Sequence, residues 1–81
     1  MEMLVFATKV QHAVRAALGE EYRVELKEVR KNNGVILQGL VIRRGEDNIM
    51  PTIYLNSFLA AYEQGITFAD IIRKIVSVYR D

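Results

Sequence analysis

The 81-residue sequence contains no cysteine and no tryptophan, and it has a single proline and a single histidine. Without cysteine there can be no disulfide, no thiolate metal site and no cysteine nucleophile. No apolar run approaches the roughly 18–20 residues that a membrane-spanning helix needs, and the start Met1-Glu2-Met3 lacks the basic residues of a signal peptide. We therefore expect a cytoplasmic protein with no membrane segment.

Net charge is also nearly absent from the sequence. Eleven Lys and Arg residues face 10 Asp and Glu residues, which gives a formal net charge of +1. Such a balance produces no overall field that would attract nucleic acid or an anionic membrane. With 51% hydrophobic residues, residues 1–81 are expected to fold as a single domain, and the composition favours self-association.

The most informative part of the chain lies between residues 31 and 55. Two turn signals, Asn33-Gly34 and residues 45–48, bracket an almost wholly apolar run from Val35 to Ile42. Because Asn-Gly supplies the positive backbone angles of a tight hairpin, this pattern predicts a strand on each side of each turn. The third strand, Ile49 to Leu55, contains Pro51, which cannot donate to a ladder, so we expect it at a sheet edge.

The flanking segments show the periodicities of helices and of one more strand. Apolar residues recur every three or four positions from Met3 to Leu18, which predicts an amphipathic helix that ends at Gly19. Residues 22–29 alternate between apolar and charged side chains, as in a half-buried strand. After the third strand, Asn56 and Ser57 are suitable N-caps for a short helix. Thr67 and Asp70 have the spacing of a capping box at the start of the last helix.

These elements predict a two-layer α+β domain: a helix, a three-stranded antiparallel meander and two helices. Helices from both ends can cover one face of the sheet. The other face of the central strand would then expose aliphatic side chains. The exposed set contains either Val35, Leu37 and Val41 or Ile36, Leu40 and Ile42. The length of the first turn decides between them, and the sequence leaves it open.

No arrangement of residues in the sequence suggests catalysis. His12 has no acidic residue three or four positions away, and an imidazole without a partner has no mechanism. Ser57 and Ser77 lack the glycine elbow of a hydrolase nucleophile. The carboxylates are accounted for by a charged strand face, a turn and a helix cap. We predict no enzyme, no catalytic or metal-binding residue and no cofactor.

A protein-interaction surface is the better interpretation. A strand that is apolar on both faces, next to an unpaired sheet edge, is typical of a contact surface for a second copy or another protein. The strand at residues 22–29 is the more available edge, and the predicted contact residues are Val35, Leu37, Val41, Arg43, Arg44 and Tyr54. A nucleic-acid-binding module is an alternative, and it requires Lys31, Arg43 and Arg44 to cluster on one face.

Several of these segments together resemble a bacterial family of unknown function. The similar segments are Lys31-Asn32-Asn33-Gly34-Val35, Gly39 to Arg43 and Pro51 to Leu55, followed by Phe58, Tyr62 and Gly65. The resemblance implies the same order of elements and no known activity. Because family members are typically longer, it also implies an N-terminal module that stands alone.

Stand-alone modules of this kind often travel on phages or mobile elements, where compact non-enzymatic proteins block host defences by binding. A phage or mobile-element inhibitor of a bacterial defence system, of the anti-CRISPR type, is therefore the first alternative, ahead of nucleic-acid binding, and it is based on association with such proteins.

Overall fold

The chain folds as a helix, an antiparallel sheet and two further helices, in the order that the sequence predicts. The structure, a computed structural model, describes residues 1–45, 47–48 and 52–79. The helices are α1 (Met3–Leu18), α2 (Asn56–Glu63) and α3 (Phe68–Tyr79), and the strands are β1 (Tyr22–Arg30), β2 (Ile36–Arg44), β3 (Asp47–Asn48) and β4 (Ile53–Tyr54). This α+β architecture with an open sheet confirms the predicted fold class.

Local sequence signals set the ends of α1 and α3. The N–H of Gly19, which has a φ of +102°, donates to Arg15 O at 3.0 Å after the last residue of α1. At the start of α3, Thr67 Oγ1 accepts the N–H of Asp70 at 3.2 Å. Both contacts satisfy backbone groups that a helix end leaves without partners. They confirm the predicted end of the first helix and the predicted cap of the last.

Five residues, Lys31 to Val35, connect β1 and β2, and the tight turn within them comprises the three residues Asn32 to Gly34. Lys31 and Val35 close it through a hydrogen bond from Lys31 N–H to Val35 O at 2.8 Å, and Gly34 N–H donates to Lys31 O at 3.0 Å. Gly34 has a φ of +85°, the left-handed conformation that follows a type I turn in three-residue hairpins. This turn fixes the register that the sequence left open: Val24 lies opposite Ile42, and Glu25 lies opposite Val41.

Replacing Gly34 by valine is expected to lower the free energy of unfolding by about 1–2 kcal/mol. A β-carbon at this position would meet no atom within 4 Å, so the loss would come from backbone strain alone. Denaturant unfolding measures the change, and Asn32→Ala in the same turn, where φ is negative, is the control. An unchanged midpoint for Gly34→Val would contradict the left-handed assignment.

β2 is the central strand of the sheet. It pairs with β1 along its whole length on one side and with β3 and β4 on the other, all antiparallel. Within the predicted third strand, Ile49 to Leu55, the described residues Ile53–Tyr54 pair with β2. Asp47–Asn48 also pair with β2, at the end of the segment that the sequence predicts as a turn. The expectation for Pro51 lies outside the described residues.

Asn56 has a different role from the predicted helix cap. α2 begins at Asn56 itself, and its N-cap Leu55 makes no side-chain capping bond. The Asn56 side chain points to β2 instead: its Oδ1 accepts the N–H of Gln38 at 3.0 Å, and its Nδ2 donates to Ile36 O at 3.5 Å. One amide side chain therefore continues the ladder of β2 where β4 has ended.

The hydrophobic core lies between the helices and one face of the sheet. Its buried residues are Phe6, Ala7, Val10, Val14 and Leu18 of α1, Val24, Leu40 and Ile42 of the sheet, Leu55, and Ile71 and Ile75 of α3. α2 adds the half-buried Phe58, Leu59 and Tyr62. All three helices therefore pack on one face of the sheet, and none of the described helices covers the opposite face, here called the outer face.

Candidate protein-interaction surface

The outer face is formed by the odd-numbered residues of β1 and β2. Side chains alternate along a strand, and the core takes Val24 of β1 and Leu40 and Ile42 of β2. The odd-numbered residues must therefore point away from the helices. Tyr54 joins them because it lies opposite Gly39. Five of the six predicted contact residues lie on this face: Leu37, Val41, Arg43, Tyr54 and Val35, which directly precedes β2 and continues its pairing through the bond from Lys31 N–H.

The hairpin end of the outer face is apolar. Val35 is 46% exposed, and Leu37 and Val29, which lie opposite each other on β2 and β1, are half-buried. None of the three packs against the core within the part of the chain that is described. Val29 was missed in the sequence, although it breaks the alternation of its strand by placing an apolar residue on the charged side.

The middle of the outer face is built around Gly39. A β-carbon on this residue would lie 2.6 Å from Thr52 Cγ2, 3.0 Å from Lys27 O and 3.8 Å from Tyr54 Cε1. Thr52 and Tyr54 therefore pack directly over the glycine backbone, as aromatic residues commonly do beside a strand glycine. The Tyr54 residue is still 42% exposed, which leaves part of an amphipathic aromatic residue available for contact.

Charged residues cover the other end of the outer face. Arg43 Nε lies 3.2 Å from Glu25 Oε1, and both side chains are partly exposed to solvent. Val41, opposite Glu25, is only 9% exposed, so it offers little contact area of its own. The usable apolar surface is therefore the hairpin end together with Tyr54.

The free edge of β1 is a second feature of the open side of the sheet. Gln38 uses both its backbone groups on the β4 side of β2: its N–H donates to Asn56, and its C=O accepts the N–H of Leu55 at 2.8 Å. Successive residues of a strand direct these groups to opposite sides, so the odd-numbered residues of β2 bond to β1. The even-numbered residues of β1 must then direct their N–H and C=O groups away from the sheet.

Few of these edge groups have partners. Val24 O accepts a hydrogen bond from Gln11 Nε2 of α1 at 2.8 Å, and Tyr22 N–H donates to Gly19 O at 3.3 Å. The outward backbone groups of Leu26, Glu28 and Arg30 have no hydrogen-bond partner among the described residues. This is the edge that the sequence predicted to be the more available. Nothing in the sequence indicated the role of Gln11, because it depends on how α1 docks.

Comparison with protein families identifies the chain. The model of a family of unknown function, DUF5688, matches residues 3–81. The chain belongs to this family. No curated protein and no solved structure shows a significant match. Membership of a family of unknown function confirms the resemblance at family level and assigns no activity.

Arg44 lies apart from the other predicted contact residues of this DUF5688 member. Its Nη2 is 3.4 Å from Glu21 Oε2, and its Cζ lies 5.8 Å from the centre of the Tyr22 ring. As an even-numbered residue it points to the side of the sheet opposite that of Arg43. Lys31 lies at the hairpin end, far along β2 from both. The three basic residues therefore do not form the single cluster that the nucleic-acid alternative requires.

Other features of this DUF5688 member bear less directly on the site. The described residues contain no group of three or more His, Cys, Asp or Glu side chains that could hold a metal ion. His12 is exposed on α1. Burial raises the pKa of Tyr79, which packs against the core from α3. Among the described helices, none combines the length and the apolar character needed to cross a membrane.

Proposed function

We propose that this chain is a non-enzymatic protein-interaction module that associates with a second copy of itself through the open side of its sheet. The observation that supports this most is the one-sided packing of the helices. It leaves the outer face without any of the described helices over it, and β1 pairs with no described strand on its other side. Exposed aliphatic and aromatic surface next to unpaired strand groups is typical of association surfaces.

Charge supports a protein partner over a polyanion. The net charge is only +1, and both arginines near the end of β2 already lie beside glutamates. A nearly neutral protein has little self-repulsion, so a second copy can approach without an electrostatic barrier. The sequence also lacks a nucleophile with a nearby base, and this favours a binding function over catalysis.

Light scattering over a range of protein concentrations tests the proposal. We expect a mass near twice that of the 9.3 kDa chain, falling towards the monomer mass on dilution. Adding single- or double-stranded oligonucleotides should leave the mass unchanged. A monomer at every concentration would refute self-association, and a rise in mass only with oligonucleotide would support the nucleic-acid alternative instead.

A further inference from the structure

We propose that two copies of the chain join edge to edge, with β1 antiparallel to β1 of the second copy and Leu26 of each copy on the two-fold axis. The two sheets would then form one continuous sheet, with all helices on one side and both outer faces on the other. This inference rests on the proposed self-association and specifies its geometry.

The backbone restricts the possible registers. Only even-numbered residues of β1 direct N–H and C=O groups to the free edge, so an even-numbered residue must face an even-numbered residue of the second copy. The symmetric registers that remain differ in the residue on the axis. With Leu26 on the axis, Tyr22 faces Arg30 of the second copy, and all residues from 22 to 30 lie opposite the second strand. The N–H of Tyr22 keeps its bond to Gly19 O, so at this end only the C=O of Tyr22 accepts from the second copy.

The charges on the outer face select among these registers. With Leu26 on the axis, Glu25 faces Lys27 of the second copy, and the symmetry makes this pair twice. With Glu25 on the axis, Glu25 faces itself and Arg23 faces Lys27. With Lys27 on the axis, Lys27 faces itself. Opposite charges across a strand pair stabilise it and like charges destabilise it, so the neighbouring registers are both disfavoured.

Larger shifts of register lose strand length. With Val24 on the axis, opposite charges also meet, but only residues 22–26 of the strand pair. With Glu28 on the axis, only residues 26–30 pair, and Glu28 faces itself. Charged residues commonly protect a free edge from pairing with arbitrary strands. The alternating charges of Arg23, Glu25 and Lys27 protect the β1 edge in this way. They still permit one full-length register with a second copy, the register with Leu26 on the axis.

The surroundings of the edge are compatible with this pairing. Val24 O, which already accepts from Gln11 Nε2, has a second lone pair for the N–H of Glu28 of the second copy. An open groove of about 390 Å³ lies beside the edge, lined by Arg15, Glu20, Tyr22, Arg23, Val24 and Glu25. Arg30 of the second copy would enter this groove next to Tyr22. Glu20, which has no ion pair among the described residues, would be available there as its partner.

Complementary charge reversals test the register. Glu25→Lys and Lys27→Glu each turn both opposite-charge pairs into like-charge pairs, so each variant alone should dimerise roughly tenfold or more weakly than wild type. When the two variants are mixed, position 25 of each faces position 27 of the other, and a lysine again meets a glutamate at both places. The mixture should therefore form a heterodimer of nearly wild-type affinity, measured by light scattering or native mass spectrometry.

Two controls separate the interface from the fold. Glu28→Lys changes the net charge as Glu25→Lys does, but residue 28 faces Val24 in this register, so dimerisation should change little. Circular dichroism checks that each variant is folded, since Glu25→Lys also removes the exposed ion pair with Arg43. A variant that had lost its fold could not be rescued by mixing.

The outcomes distinguish this inference from the proposed function. A monomeric wild-type chain would refute both. A dimeric wild type whose single variants keep their affinity, or whose mixture is not restored, would retain self-association and refute this register. Tighter association of Lys27→Glu alone would also refute it, since that result places residue 27 opposite Arg23.

Discussion

Replacing Phe6 by alanine is expected to lower the free energy of unfolding by about 3–5 kcal/mol, the usual loss for a large aromatic residue in a core. Phe6 is fully buried on α1. Its ring centroid lies 5.7 Å from that of Tyr62 on α2 and 6.2 Å from that of Phe68 on α3. The residue therefore joins all three helices, and alanine would leave a cavity where they meet.

Denaturant unfolding followed by circular dichroism measures this loss. Domains of this size have a total stability of roughly 5–15 kcal/mol, so a substantial fraction of Phe6→Ala could be unfolded even without denaturant. Leu4→Ala is the matched control on the same helix, because Leu4 is 58% exposed and should change stability by less than about 0.5 kcal/mol. Equal losses for the two variants would contradict the assignment of the inner face of α1.

The elements that were predicted well are those whose signals are local. α1 shows one helical periodicity along its whole length, and β1 alternates from Tyr22 to Lys27 before Glu28 and Val29 reverse the pattern. The Asn33-Gly34 turn has few alternatives to a left-handed glycine. The cap of α3 was predictable because Thr67 Oγ1 bonds to the N–H of Asp70, a residue only three positions later. In each case the information that determines the structure lies within a few positions of the residue.

The elements that were predicted less well depend on contacts between distant residues. Asn56 has the side chain of an N-cap, yet it bonds to Gln38 of β2, 18 positions away. Asp47 and Asn48 were predicted to lie in a turn, yet they pair with Arg44 and Arg43 of β2. Neither choice is visible in local propensity, since both partners are supplied by the folded sheet.

The candidate surface was predictable in composition but not in orientation. The apolar character of residues 35–42 indicated exposed aliphatic residues, and the turn length then decided that Val35 and Leu37 face outward. Strand alternation alone separates Arg43 from Arg44, because neighbouring residues of a strand cannot share a face. The available β1 edge followed from the predicted strand order, whereas its contact with Gln11 required the position of α1.

Gly39→Ala is expected to lower the free energy of unfolding by about 1–3 kcal/mol, as overpacking of a tight site does. Gly39 does not have a positive φ, so alanine would not strain the backbone. At a less crowded position with such a backbone, glycine to alanine raises the free energy of unfolding by roughly 0.4–1 kcal/mol, because alanine reduces the conformational entropy of the unfolded chain. The new methyl group, however, would lie 2.6 Å from Thr52 Cγ2 and 3.0 Å from Lys27 O. The sign of the change therefore reports whether Thr52 packs over the glycine.

A double-mutant cycle with Thr52→Ser shows where that loss arises. Serine removes Cγ2 and keeps the hydroxyl group, so the shortest contact disappears while the contact with Lys27 O remains. We expect Gly39→Ala to cost at least about 1 kcal/mol less in the Thr52→Ser background, a coupling of the size seen between residues in contact. Additive effects would show that Thr52 does not lie over Gly39. The outer face would then lack the Thr52 and Tyr54 packing on which its middle depends.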